Sequence, residues 1–267
     1  MVEFQRKDFY SYEDFLEIMR LLRAPGGCPW DREQTHSSIR RNFLEETYEV
    51  LDAIDHDASG MCEELGDVLM QVAFHAQIEA ERGRFTMANV VDGVARKLVY
   101  RHPHVFGDVQ ADTSQQVLTN WDVLKRREKG QRSTADAVEA VPHTLPALGR
   151  AEKIQSKTAK AGFDWTSSLQ ALDKLEEEVR ELRAALEAGQ AADAPHGIRE
   201  ELGDTLFMAA KIAQMSGVDP EDALHRACDK FDARFRLVEE LADKPLSECG
   251  EAELLALWND AKSHDPS

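Results

Sequence analysis

Glu63-Glu64-Leu65-Gly66-Asp67 recurs without a change as Glu200-Glu201-Leu202-Gly203-Asp204, at an offset of 137 residues. The pentapeptide sets Glu64 and Asp67 at i and i+3, which on a helix lie about 60° apart and share a face. Working outward, Glu45-Glu46-Thr47-Tyr48-Glu49 returns as Glu177-Glu178-Val179-Arg180-Glu181 at offset 132, and Gly27-x-x-Trp30 as Gly162-x-x-Trp165 at offset 135. Downstream, Lys97-x-x-x-Arg101 returns as Lys230-x-x-x-Arg234 at offset 133, and Trp121-x-x-x-Lys125 as Trp258-x-x-x-Lys262 at offset 137. These elements keep one order while their offsets vary only by loop-sized amounts. The chain holds one fold twice.

Around these elements the apolar pattern has a helical period. Phe15, Leu16, Ile18, Met19 and Leu22 follow Ser11-x-x-Asp14, a capping-box spacing with Asp in place of Glu or Gln. Leu65, Leu69, Val72 and Ala76 fall at helical spacing, and the stripe Leu65, Leu69 and Val72, repeated as Leu202, Leu206 and Ala209, is expected to glue each acidic segment to the rest of its repeat. Asp219-Pro220 offers an N-cap and a proline at the first helical position. The expected class is all-α: two tandem helical-bundle repeats, 1–130 and 149–267. A linker, 131–148, is expected between them, in a stretch marked by Gly130, Ser133, Thr134, Pro142 and Pro146.

Composition narrows the function classes. A chain of 267 residues with 42% hydrophobic content can build one large core or two small ones. Acidic residues outnumber basic ones 50 to 32, a net charge of −18, which argues against nucleic acid as a partner because that footprint is a basic face. No run approaches the roughly 18 apolar residues of a membrane span. The first residues, Met1 to Asp8, lack the apolar core of a secretory signal. Cys28, Cys62, Cys228 and Cys249 make no C-x-x-C pair, so zinc and thioredoxin chemistry are not indicated. A cytoplasmic protein with free thiols is the expectation.

If each pair of acidic motifs forms an antiparallel hairpin, residues at equal depth have numbers with a common sum. Glu46 with Asp67, and Glu49 with Glu64, share one sum, centred in the turn-like His56-Asp57-Ala58-Ser59-Gly60. Glu178 with Asp204, and Glu181 with Glu201, share another, centred on Ala191 in the loop-like stretch from Gly189 to Gly197. Each repeat is thus expected to gather four carboxylates in one patch. Such a cluster raises its own pKa values unless a cation sits among them. Residues 45–67 hold nine acidic side chains and no Lys or Arg, so nothing local neutralises that patch. All-oxygen ligation selects a hard divalent ion, Mg²⁺ or in its place Mn²⁺. A di-iron site would need Glu-x-x-His on two helices. Only Glu33-x-x-His36 has that spacing, and the second repeat has no counterpart.

Each Lys-x-x-x-Arg pair spans one helical turn, so Lys97 with Arg101 and Lys230 with Arg234 are candidates to clamp phosphate oxygens. Trp121 with Lys125, and Trp258 with Lys262, share a face and offer a stacking ring beside a phosphate contact. Metal-binding carboxylates, cations and an aromatic ring together suggest a nucleoside polyphosphate. No G-x-x-x-x-G-K-[ST] loop is present, so this is not a P-loop enzyme.

On these residues the chain resembles the two-repeat MazG-type nucleoside triphosphate pyrophosphohydrolases, of the all-α NTP pyrophosphatase superfamily. The likeness is carried by Glu45-Glu46-x-x-Glu49 with Glu64-x-x-Asp67, and by Glu177-Glu178-x-x-Glu181 with Glu201-x-x-Asp204. The signatures Gly27-Cys28-Pro29-Trp30-Asp31 and Arg101-His102-Pro103-His104-Val105-Phe106 add to it. The resemblance implies hydrolysis of a nucleoside triphosphate to the monophosphate and pyrophosphate, Mg²⁺ dependence and a homodimer. It also implies that the C-terminal repeat carries the activity, which gives Glu178, Glu181, Glu201 and Asp204 the catalytic weight. Two departures stand out: Gly162-Phe163-Asp164-Trp165 replaces Gly-Cys-Pro-Trp in the second repeat, and Arg180 sits inside its acidic motif. Neither removes an expected ligand.

The chemistry expected is metal-assisted attack of water on the α-phosphorus, with Lys230 and Arg234 stabilising phosphoryl charge and one carboxylate as general base. A non-catalytic nucleotide-binding regulator would use the same clamp. A purely structural helical module would bind no Mg²⁺. Release of pyrophosphate, rather than orthophosphate, separates the enzyme from both.

Overall fold

Local capping chemistry sets where the first helix begins. In the computed structural model, which describes residues 2–56 and 58–264, α1 (Tyr12–Arg23) is capped by Ser11. The Ser11 hydroxyl accepts from the Asp14 N–H at 3.2 Å, and the Asp14 carboxylate accepts from the Ser11 N–H at 3.0 Å. This is the expected box. There follow α2 (Pro29–Glu33), α3 (Arg40–Asp55), α4 (Met61–Glu81), α5 (Met87–Arg101), α6 (Pro103–Phe106) and α7 (Ser114–Glu128). Then come α8 (Thr134–Glu139), α9 (Ala147–Ala159), α10 (Ser168–Glu187), α11 (Ile198–Met215), α12 (Pro220–Leu241) and α13 (Glu251–His264). The Asp219 carboxylate caps α12, accepting from the Glu221 and Asp222 N–H groups at 2.8 and 3.1 Å. No strand occurs among the described residues, and the fold is all-α.

The chain forms two compact units, Met1–Lys125 and Arg126–Ser267. In the first, α3 and α4 pack as a hairpin through a short 3-10 turn, Ala58–Gly60. Asp57, expected in that turn, lies outside the described residues, as do Met1 and residues 265–267. In the second unit α10 and α11 form the matching hairpin, and α9 packs against α11. Within 131–148 the short helix α8 rests on α9, with Ala137 and Val141 buried. The turn between α10 and α11 is tight at Gly197: a Cβ there would lie 2.6 Å from the carbonyl oxygens of both Ala191 and Ala194.

The core of the first unit joins Met19, Ile39, Ala73, Phe74 and Ile78, with Phe15, Leu16 and Met70 packed around it. Beside it a polar cluster ties the segment before α3 to α4. His36 Nδ1 lies 2.7 Å from His75 Nδ1, and His36 Nε2 lies 2.5 Å from Glu79. Arg84 and Arg82 also reach Glu79. Hydrogen bonds from Arg84, then from His36, pull the Glu79 carboxyl down to about 2.

The leucine stripes need correction. Leu65 and Leu69 are exposed, as are Leu202 and Leu206, so they do not form the buried seam of either unit. The buried face of α4 is instead Gln71, Ala73, Phe74, Ala76, Ile78 and Glu79. The physical reason is where the partner helix lies: α1 meets α4 around Ala73, Phe74 and Ile78, leaving the acidic half of the hairpin uncovered.

Candidate metal and nucleotide site

Each hairpin brings three of its four matched carboxylates together. In the first unit Glu46 and Glu49, from α3, and Glu64, from α4, each bring a ligand oxygen within 4.8 Å of the others. Asp67 stands close enough to act on both helices. Burial first, then the charges of Asp67 and Glu49, push the Glu46 carboxyl above its ordinary value. Burial and the charges of Glu49, Glu63 and Asp67 do the same to Glu64. An amide hydrogen bond from Gln71 to Glu46, at 3.4 Å, opposes this weakly.

In the second unit Glu178, from α10, and Glu201 and Asp204, from α11, converge within the same 4.8 Å. Here two of the three carboxylates are withdrawn from water, Glu178 at 7% exposed and Glu201 at 5%, while Asp204 is exposed. Glu181 completes the set electrostatically. Burial and the Glu178 charge raise its carboxyl, while Lys174 works the other way. No sequence motif points to Lys174. Its ammonium lies 2.8 Å from Glu178 and 2.6 Å from Glu177, and these hydrogen bonds hold it above the usual lysine range. The available signal was its i, i+4 spacing to Glu178. The repeat puts Asn42 at the equivalent place in the first unit, so only the second unit carries this internal cation. His196, the one described non-glycine residue at positive φ (54°), sets its Nδ1 3.7 Å from Glu201.

The donor chemistry fits a divalent ion in both units. Convergent like charges are costly without a cation, the more so when buried. Carboxylate oxygens alone match a hard ion.

The basic and aromatic candidates fall differently in the two units. In the first, Lys97 is exposed, but Arg101 is only 6% exposed and its guanidinium lies 5.2 Å from the Trp121 ring centre. The Lys125 ammonium lies 5.1 Å from the same ring. In the second, Lys230 is exposed and Arg234 half-buried on α12. Between them Phe231 tilts against Trp258 at 5.3 Å, with Lys262 5.8 Å from that indole. Thus α13 brings its Trp-Lys pair to the helix that carries the Lys-Arg pair.

The profile of the MazG nucleotide pyrophosphohydrolase domain matches twice, over residues 34–106 and 166–239. The chain belongs to the MazG family. Each matched MazG segment contains one complete acidic hairpin and its Lys-x-x-x-Arg pair, while the two Trp-x-x-x-Lys pairs lie outside. The chain is 42% identical over 258 residues to a nucleoside triphosphate pyrophosphohydrolase/pyrophosphatase MazG of Thermotoga maritima, covering 95% of this chain and 96% of that protein. It is 45% identical over 228 residues to a nucleoside triphosphate pyrophosphohydrolase of Escherichia coli, covering 85% and 86%. It also matches the Bacillus subtilis protein YabN at 42% over 260 residues, which is 52% of that longer chain. Both MazG hairpins described above therefore sit inside the matched segments, in a chain similar to the Thermotoga protein over 95% of its length.

Proposed function

We propose that this protein is a nucleoside triphosphate pyrophosphohydrolase, converting an NTP or dNTP and water to the monophosphate and pyrophosphate. The observation that carries the reading is the convergence of Glu178, Glu201 and Asp204 within 4.8 Å. The names of the Thermotoga and Escherichia relatives support it. No helix among the described residues is long and apolar enough to cross a membrane.

Glu178, Glu181, Glu201 and Asp204 would hold Mg²⁺, or Mn²⁺ in its place. The ion, when bound, supplies charge neutralisation for the phosphates and a more acidic water. The remaining work belongs to the chain. Lys230 and Arg234, one turn apart on α12, meet phosphoryl charge as fixed cations. Lys174, already at the carboxylates, offsets the charge of Glu178. Trp258, backed by Phe231, gives the base a flat apolar surface.

The unequal burial favours the second unit as the seat of activity. Glu178 and Glu201 are nearly dry while Asp204 and Glu181 are exposed; in the first unit Glu46 and Glu64 are only half-buried and Glu49 is exposed. In the first unit Glu46, Glu49, Glu64 and Asp67 form the corresponding ion site, with Lys97, Arg101, Trp121 and Lys125 in the corresponding substrate positions. There Arg101 is buried against Trp121, which suits assembly better than phosphate capture. The exposed Leu65, Leu69, Leu202 and Leu206, with Val91, Val94 and Leu98 on α5, support a homodimer that covers them. The test is a panel of ribo- and deoxyribonucleoside triphosphates with Mg²⁺, resolving pyrophosphate from orthophosphate, with sedimentation of the same sample. Nucleotide binding without pyrophosphate release would leave a regulator in place of the enzyme.

A further inference from the structure

The end of the α10–α11 hairpin away from its turn carries a charge pair that the reaction does not use. Lys211, on α11, is 1% exposed. Its ammonium forms an ion pair with Asp164, donates to Gln214 at 2.6 Å and lies 5.9 Å from the Trp165 ring centre. Asp164 also accepts from the Trp165 N–H at 2.8 Å, and Gly162 takes φ +86°. The segment Gly162-Phe163-Asp164-Trp165 is thus a shaped loop, pinned to α11 just before Ser167 caps α10.

Burying an ammonium is costly unless it is paired and hydrogen-bonded, and an apolar side chain of similar volume often does as well or better for stability. The first unit takes the apolar course: the repeat puts Phe74 at the Lys211 position and Pro29 at the Asp164 position, and Phe74 belongs to the apolar core. Stability alone therefore does not call for the pair. Its place in the hairpin does. The turn from Gly189 to Gly197 restrains one end of α10 and α11, and the Lys211 network restrains the other. Between these ends Glu178, Glu201 and Asp204 repel one another across the two helices. Lys211 follows Asp204 by two turns on the same face, about 10 Å along the axis.

We propose that Lys211, acting through Asp164, is a positioning residue that holds α10 against α11, so that Glu178, Glu201 and Asp204 converge before a divalent ion arrives. The proposal rests on the reading of those carboxylates as ion-holding.

The test uses the full chain carrying Glu46→Gln and Glu49→Gln, which leaves the second hairpin as the intact acidic site. Mn²⁺ binding is measured by calorimetry without nucleotide, and thermal unfolding without metal is measured beside it. Lys211→Met keeps the volume and removes the charge. Asp164→Asn, at the more exposed end of the pair, tests the same link from the loop side. A third variant carries both, so that Lys211 is not left as a buried unpaired charge. Each single change should weaken Mn²⁺ by about tenfold, the low end for groups that orient metal ligands from outside the coordination sphere. The double variant should lose no more than either single, with metal-free unfolding unchanged or raised. Equal Mn²⁺ affinity in all variants overturns the proposal and makes the pair core packing. Losses that add in the double variant also overturn it, because the two residues would then act separately. A parent that binds no Mn²⁺ overturns the ion-holding reading and this proposal with it.

Discussion

Replacing Glu201 by Gln removes one anion from the second-unit cluster while keeping its volume. The ligand oxygens of Glu178, Glu201 and Asp204 lie within 4.8 Å of one another. At that separation two unit charges repel by about 3 kcal/mol in an effective dielectric near 20. Glu201 faces two such neighbours, but Lys174 already offsets Glu178. The net relief is therefore on the order of 1–3 kcal/mol, and the metal-free variant should unfold at the same or a slightly higher temperature. The response to metal runs the other way. At about a hundred times its dissociation constant Mg²⁺ stabilises the parent by about 2.7 kcal/mol, a rise of about 5–10 °C for a unit of this size. Most of that rise should vanish in the variant. The assay is thermal unfolding by circular dichroism across a Mg²⁺ titration, in the Glu46→Gln/Glu49→Gln chain with and without Glu201→Gln. Pyrophosphate release is followed in parallel. An undiminished Mg²⁺ shift would refute the reasoning, as would a loss of activity that merely tracks a fall in metal-free unfolding temperature.

Division of labour between the units is tested by matched pairs: Glu178→Gln/Glu181→Gln should abolish most pyrophosphate release and Glu46→Gln/Glu49→Gln should leave most of it. The reverse ranking would move the active site to the first unit, and equal partial losses would mean two independent sites. The carboxyls of Glu46, Glu64 and Glu181 are raised above the ordinary 4.5 by burial first and then by their acidic neighbours. A raised carboxyl contributes stability below its unfolded value and loses it as pH climbs through the folded one. Metal-free unfolding temperature should thus fall as pH rises from 4.5, and saturating Mg²⁺ should flatten the curve; identical curves with and without metal would contradict this. Burial, then the charge of His36, holds the His75 imidazole below the ordinary 6.5, so its contribution is lost as pH falls through 6.5. His75→Gln should flatten that acid-side decline, and an unchanged slope would remove His75 from it. Gly197→Ala puts a Cβ 2.6 Å from two carbonyl oxygens, and should cost about 1–3 kcal/mol in denaturant unfolding; no loss would mean the turn has room.

The sequence by itself determined the repeat, the helical class and the pairing of carboxylates, because helical periodicity alone decides which residues share a face. Glu46, Glu49 and Glu64 needed only their spacing and a turn between two helices, as did Glu178, Glu201 and Asp204. The caps at Ser11 and Asp219 were legible for the same reason, since donor and acceptor lie within one turn of chain. Burial was not legible. Leu65 and Leu202 have the spacing of core residues yet stand exposed, because whether a stripe is covered depends on which other helix reaches it. Arg101 resembled a surface cation and is buried against Trp121, a ring that only the packing of α7 brings to it. Lys174 sat one turn from Glu178 in plain view, but spacing does not say which way a long side chain turns. Lys211 is the extreme case: a lysine reads as solvent-facing, and its partner Asp164 lies in a loop far away along the chain. Only the tertiary structure decided that the two meet inside the protein, because a buried charge is tolerated only where the fold delivers its counter-charge and hydrogen-bond acceptors to the same point.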